Sequence, residues 1–154
     1  MLKEMRRKDR QLSNEEAMEI LKNGEFGILA TMGSEYPYAV PVNYVVIDNT
    51  IYYHGSCEVG QKTENINVNN HVCFTVVGKT EVLASKFGEK YESIIALGKV
   101  SIVDDVKKEK VLEAFLDKYS AEFKDAGMKY LHEAKAKVSA YGIEIEQITG
   151  KARR

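Results

Sequence analysis

The stretch Tyr38 to Lys62, YAVPVNYVVIDNTIYYHGSCEVGQK, constrains this chain more than any other. Val40, Val42, Val45 and Val46, then Ile51, Tyr52 and Tyr53, are β-branched and aromatic residues that suit a pleated, half-buried surface. Asp48-Asn49-Thr50 between them is turn chemistry, so the stretch predicts two strands around a tight turn. The second run then gives way to His54, Gly55 and Ser56. Small polar residues at a strand end let backbone approach a ligand closely; the competing reading is a plain hairpin with a surface loop. Lys62 opens a short helical segment to Val68, and a lysine beside free helical N–H groups can seat one phosphate.

The rest of the chain surrounds this stretch with more strands. Ser13-Asn14-Glu15-Glu16 is a capping box, and the helix it opens runs to about Asn23 with Ala17, Ile20 and Leu21 on one face and Gly24 as its stop. Phe26 to Thr31 reads as a strand, and Gly33-Ser34-Glu35 as the turn into Tyr36-Pro37-Tyr38. Pro41 removes a ladder donor, which places its strand at an edge, a barrel corner or beside a ligand. His71 to Val77 and Thr80 to Leu83 read as two strands around Gly78-Lys79, with Ala84 to Lys90 as a loop. Tyr91 to Val103 is a long strand with Gly98 as a bulge. Lys107 to Tyr119 is an amphipathic helix with Val111, Leu112, Phe115 and Leu116 as its stripe; Lys124 to Lys137 is a second helix. Val138 to Ile148 alternates as a final strand, and Gly150 to Arg154 is a basic tail.

About six antiparallel strands without βαβ alternation point to a barrel. The expected organisation is one domain over residues 1–154, with an N-terminal arm over 1–12 and a helical insertion over 105–137 before the last strand. The arm's Arg6, Arg7, Lys8 and Arg10 read as a solvated run or as contacts to a partner or a phosphate.

Charge and cysteine usage narrow the function. The net charge of −1 gives no electrostatic case for nucleic acid. No apolar run is long enough to span a bilayer, and the basic N-terminus has no apolar stretch after it, so a cytoplasmic location is expected. Cys57 and Cys73 lack C-x-x-C spacing and read as reduced thiols. His54-x-x-Cys57 and His71-x-Cys73 offer four N/S groups, but the second pair sits on a strand and no metal is expected. His132 reads as a surface residue on a helix. The chain has no G-x-S-x-G elbow, no phosphate-cradling glycine loop and no dinucleotide fingerprint.

The stretches GEFGILATMG, YPYAVPVNYVV, IYYHGSCEVGQKTENI, YESIIALGKVSIV and IEIEQITGKARR, in that order, resemble the FMN-binding split-barrel superfamily. Within it the chain is most similar to the nitroimidazole-resistance branch of the pyridoxamine 5'-phosphate oxidase-like proteins. The resemblance implies a mainly β fold with flanking helices, a six-stranded antiparallel split barrel. It implies Val40, Pro41, Val42 and Asn43 along the isoalloxazine, and Tyr53, His54, Gly55 and Ser56 along the ribityl-phosphate path. Lys62 would anchor the phosphate with Gln61 and Ser56 as supporting donors, and His54 would bind an anionic substrate or pass a proton. It further implies a homodimer in which Tyr91 and Ser93 reach the partner's FMN, and electron flow from NAD(P)H through FMN to a small acceptor. The alternatives are a binding module for flavin or another planar cofactor such as haem or F420, and pyridoxamine 5'-phosphate oxidase itself. Against the last, the chain ends ITGKARR with no histidine after His132, and so lacks that enzyme's C-terminal arginine- and histidine-containing motif.

Overall fold

The computed structural model describes residues 2–33 and 35–154, so the Ser34 part of the expected Gly33–Glu35 turn lies outside the described residues. One sheet organises the chain. Its strands are β1 (Gln11–Leu12), β2 (Phe26–Met32), β3 (Pro37–Asn43), β4 (Val45–Ile47), β5 (Thr50–Ser56), β6 (His71–Leu83), β7 (Gly88–Ile102) and β8 (Val138–Arg153). The order across the sheet is β3-β2-β6-β7-β8-β5-β4, with β1 added to β8, and every pairing is antiparallel. The helices are α1 (Asn14–Asn23), α2 (Gln61–Val68), α3 (Asp105–Tyr119) and α4 (Lys124–Ala134). This is a split barrel flanked by helices.

Among the described residues the strands number eight where six were expected. The run from Tyr38 to Val46 is two strands, because Tyr44 leaves the ladder: β3 pairs β2 while β4 pairs β5. The residues His71 to Leu83 are one strand, since the expected Gly78-Lys79 turn is only a register shift between Val77 and Thr80. The expected loop over Ala84 to Lys90 shrinks to a 3-10 turn and Phe87, because β7 already starts at Gly88. The expected arm and basic tail contain strands too: Gln11 faces Lys151 and Leu12 faces Gly150.

Gly98 is a bulge site, as expected. Leu97 pairs with Gln147 and Gly98 with Ile145, so Glu146 is the extra residue. A β-carbon on Gly98 would lie 2.2 Å from the Glu144 carbonyl oxygen, so the bulge requires glycine there. Ser13 and Glu16 form the expected capping box on α1, and Ala17, Ile20 and Leu21 are its buried face. Gly24 ends α1 in an extended conformation and not a left-handed one. Glycine is demanded by space, since a β-carbon would stand 2.5 Å from Tyr44 Oη and from Val76 Cγ1.

Two apolar cores follow. Leu29, Phe74, Val76, Ile51, Tyr53, Ile94 and Ile143 fill the barrel under α1. Val45, Tyr52 and Ala140 take Val111 and Phe115 of α3 on the outside. Alternate residues of β5 thus serve different cores, as a period of two requires.

β3 and β4 stand at the two ends of the strand order yet are joined through Tyr44 alone, so the sheet must curl until its ends meet there. Tyr44 is fully buried and its hydroxyl donates to the Leu21 carbonyl of α1. The end of α3 holds its backbone. Tyr119 Oη accepts the Tyr44 N–H at 3.1 Å and lies 2.6 Å from the Glu25 carbonyl oxygen. Lys118 Nζ donates to the carbonyls of Gly24 at 2.7 Å and Tyr44 at 3.0 Å, over the Tyr44 ring. Tyr119→Phe strands these backbone groups. Chemical denaturation is expected to show a loss of about 1–3 kcal/mol, with the native fold retained.

Candidate functional site

Curling leaves a seam. β3 pairs only with β2, and β4 covers only Thr50 to Tyr52 of β5. The outer edge of β3 and the edge of β5 from Tyr53 to Ser56 therefore face a seam without strand pairing, the candidate slot. Tyr44 closes one end of it. α2 bridges the other.

A buried polar chain holds α2 in place. Asn65 is almost fully buried; its Nδ2 donates to Thr31 Oγ1 of β2 at 3.0 Å. Thr31 Oγ1 in turn donates to the Tyr38 carbonyl of β3 at 3.3 Å. Gly33 makes room for this, since a β-carbon there would be 2.2 Å from Asn65 Oδ1. Neither Asn65 nor Thr31 stood out in the sequence, where the asparagines read only as a polar helix end; a lone amide on the buried side of a helix was the available signal.

So placed, the first turn of α2 puts Lys62 over β5. Its Nζ is 4.9 Å from the centre of the Tyr53 ring and 3.6 Å from where a β-carbon on Gly55 would be. Among the described residues Lys62 has no carboxylate within ion-pair distance. Burial holds its ammonium below the usual lysine value. The α2 N-cap is Gly60, without a side-chain cap, so the first N–H groups of the helix have no side-chain acceptor there. A half-buried cation lacking a counter-ion at a bare helix start is chemically matched to a phosphate.

Tyr53 is the platform beneath. It is fully buried and stacked on Tyr141 with centroids 5.2 Å apart. Its hydroxyl is the one buried side-chain polar atom without a hydrogen-bond partner among the described residues. Burial pushes the phenol well above its ordinary value, so it stays protonated at neutral pH.

The other expected site residues divide. Val40 and Val42 turn inward against the barrel core, while Pro41 and Asn43 face outward. Asn43 Nδ2 donates to the Glu25 carbonyl at 3.1 Å. What β3 offers the slot is thus backbone edge. Ser56 Oγ accepts the Glu58 N–H at 3.1 Å and keeps its own proton to donate. Gln61 Nε2 donates one of its two hydrogens to Asn65 Oδ1 at 2.8 Å. His54 lies on the opposite face of β5 from Tyr53 and Gly55, edge-on to Phe115 of α3 with centroids 4.6 Å apart. Tyr91 and Ser93 are not in the slot: they pair with Arg153 and Lys151, at the far end of β8 from Val138, the partner of Ser56. The described residues hold no group of three or more His, Cys, Asp or Glu able to bind a metal, and Cys57 and Cys73 are free thiols.

The family's sequence profile, for pyridoxamine 5'-phosphate oxidase, matches residues 13–152. The chain belongs to the pyridoxamine 5'-phosphate oxidase family. Its fold is that of the FMN-binding split-barrel superfamily. It is similar to a candidate 5-nitroimidazole antibiotic resistance protein of Bacteroides thetaiotaomicron, at 22% identity and TM-score 0.74, covering 92% of this chain and 86% of that one. It is similar to an FAD-binding protein of Mesorhizobium loti, at 23% identity and TM-score 0.67, covering 94% of this chain and 98% of that one. A flavocytochrome of Azotobacter vinelandii shares the fold at 17% identity and TM-score 0.76, covering 98% of this chain and 72% of that one. No curated protein matches this chain. Among the described residues no helix is long and apolar enough to cross a membrane.

His54 gives the site a pH signature. Burial first, and the charge of Lys62 second, push its pKa below the ordinary histidine value of 6.5. The folded state then binds the proton less tightly than the unfolded state. Stability is full above the ordinary value and falls as pH drops through the lowered one. An NMR titration should find His54 titrating below 6.5, and Lys62→Gln should move it part of the way back up.

Proposed function

We propose that this chain binds FMN in the seam between β3 and β5, as an oxidoreductase passing electrons from NAD(P)H to a small acceptor. The observation that carries the reading is Lys62. It is a partly desolvated cation without a counter-ion, on an aromatic platform, at the uncapped start of α2. A phosphate placed there would restore the charged form that burial disfavours. The backbone edge of Val40 to Asn43 and the edge of Tyr53 to Ser56 supply unpaired amide groups for a ring's polar rim. When bound, a flavin brings hydride and electron transfer of its own, and the protein has to hold, orient and tune it. His54, on the other side of β5, would act on an acceptor through its imidazole only if that acceptor approaches from the α3 side.

A homodimer belongs to the same reading. Ile28, Ala30, Met32, Cys73, Val77, Ile95 and Leu97 form a mostly apolar strip on the outer sheet face, with Thr75 between Ile28 and Ile95, where Ala30, Cys73 and Leu97 lie in one row. Met32, Val77 and Ile95 are exposed large apolar residues. A hollow of about 400 Å³ lies in this face between Pro37 and Gln147. A second copy, set two-fold on this strip, would bury it and bring Tyr91 and Ser93 to the partner's slot.

A 5-nitroimidazole or another nitro compound fits the electron-accepting role, and the relative from Bacteroides thetaiotaomicron supports that choice. The second reading is a flavin carrier without turnover.

Three measurements test this. Lys62→Ala should weaken FMN binding about ten- to a hundred-fold and leave riboflavin nearly unchanged, since one charge-assisted contact is lost. Equal losses for both ligands would move the phosphate away from Lys62. The purified protein should sediment at the mass of two chains and oxidise NAD(P)H with a nitroaromatic acceptor faster than free FMN does. No excess rate would leave the carrier reading, and sedimentation as one chain would remove the dimer.

A further inference from the structure

The two basic termini, far apart in sequence, meet in the fold. β1 lies antiparallel to the end of β8, with Gln11 opposite Lys151, and this sets Arg10 beside the same strand end. β7 lies on the other side of β8, with Tyr91 opposite Arg153 and Ser93 opposite Lys151. The phenol of Tyr91 stands between two of these cations, Arg10 and Lys151. Arg10 Nη1 donates to Tyr91 Oη at 3.4 Å, and Lys151 Nζ lies 5.8 Å from the centre of the Tyr91 ring. The Arg153 guanidinium lies on the β7 backbone, with Nη1 2.5 Å from where a β-carbon on Gly88 would be.

Of the acids on these elements, Asp9 is bonded to Arg7 at 2.6 Å and also feels the charge of Arg10, and Glu16 is bonded to Arg154 at 2.9 Å. Arg10, Lys151 and Arg153 have no carboxylate partner within ion-pair distance among the described residues. The positive field registers on the phenol, which the Arg10 hydrogen bond and the Lys151 charge hold below its usual value. Arg10 and Lys151 are like charges held around one phenol by strand pairing; they repel one another, and a dianion between them relieves that repulsion. A guanidinium, an ammonium and a hydroxyl are also a donor set suited to tetrahedral phosphate oxygens.

We propose that Arg10, Lys151 and Tyr91 form an anion-binding site, separate within one chain from Lys62, that takes a phosphate monoester. Two sources of that phosphate are open. One is a phosphorylated cofactor held mainly by a second copy, and this source rests on the flavin reading above. The other is a freely diffusing phosphate ester, which does not.

The test uses the full chain freed of bound small molecules, with inorganic phosphate as the probe, by calorimetry. Arg10→Gln together with Lys151→Gln should weaken phosphate binding about tenfold or more. Lys8→Gln, on an exposed lysine outside the cluster, should bind as the native chain does. Phosphate should also shift the Tyr91 ring resonance, assigned by its loss in Tyr91→Phe. Undiminished binding by the double variant, or a Tyr91 signal that ignores phosphate, would overturn the proposal. Should the double variant not fold, Arg10→Gln alone carries the same comparison.

FMN and riboflavin separate the sources. A loss for FMN only, in the double variant, assigns the site to the cofactor phosphate. Unchanged FMN binding with weakened inorganic phosphate assigns it to a free ester. A native chain that binds phosphate at this cluster but no flavin keeps the site and removes the flavin reading.

Discussion

The joint at Tyr44 is what the rest of this structure depends on. One buried residue links two strands that lie at opposite ends of the sheet, so the sheet cannot stay open. Residues that leave a ladder expose backbone groups, and buried backbone groups must be paired. Here the partners come from the last turn of α3, far along the chain: Tyr119 takes the Tyr44 N–H, and Lys118 takes the carbonyls of Gly24 and Tyr44. Burial keeps the Lys118 ammonium below its usual value, which is the cost of using a charged group as a structural donor. The helices between β7 and β8 are therefore part of the barrel's closure.

The candidate slot is a consequence of that closure. Once the ends of the sheet meet at Tyr44, the edges of β3 and β5 have no strand to pair with beyond it. α2 spans the far end, fixed by Asn65 on Thr31, and this same anchorage aims Lys62 across Tyr53. Fold and site share the same contacts. A buried amide–hydroxyl bond usually marks a position that the fold must specify uniquely, and here the position specified is that of a cation.

Much of this was legible in the sequence. The capping box of α1, the bulge at Gly98 and the stripe of α3 follow from local chemistry, and all are present. The errors have one cause. The run Tyr38 to Val46 reads as one strand because every residue in it favours β structure, and propensity does not register a change of partner. Gly78-Lys79 reads as a turn, yet the chain passes through it because β7 continues alongside to pair with Thr80. The terminal arm reads as solvated charge, and its Gln11 and Leu12 become a strand only because the end of β8, itself paired with β7, is there to pair with them.

The sequence by itself determined which residues could serve a phosphate-bearing ligand: a lysine at a helix start, small residues at a strand end, and a basic run at the N-terminus. These are local facts of side-chain chemistry, readable without neighbours. Only the tertiary structure decided how they group. It set Lys62 on Tyr53 and turned His54 to the other face against Phe115. It carried Tyr91 and Ser93 away to the Arg10 and Lys151 cluster. The reason is strand pairing: register and sheet order are fixed by contacts between residues far apart in the chain, and a one-residue change of register reverses the face each side chain occupies.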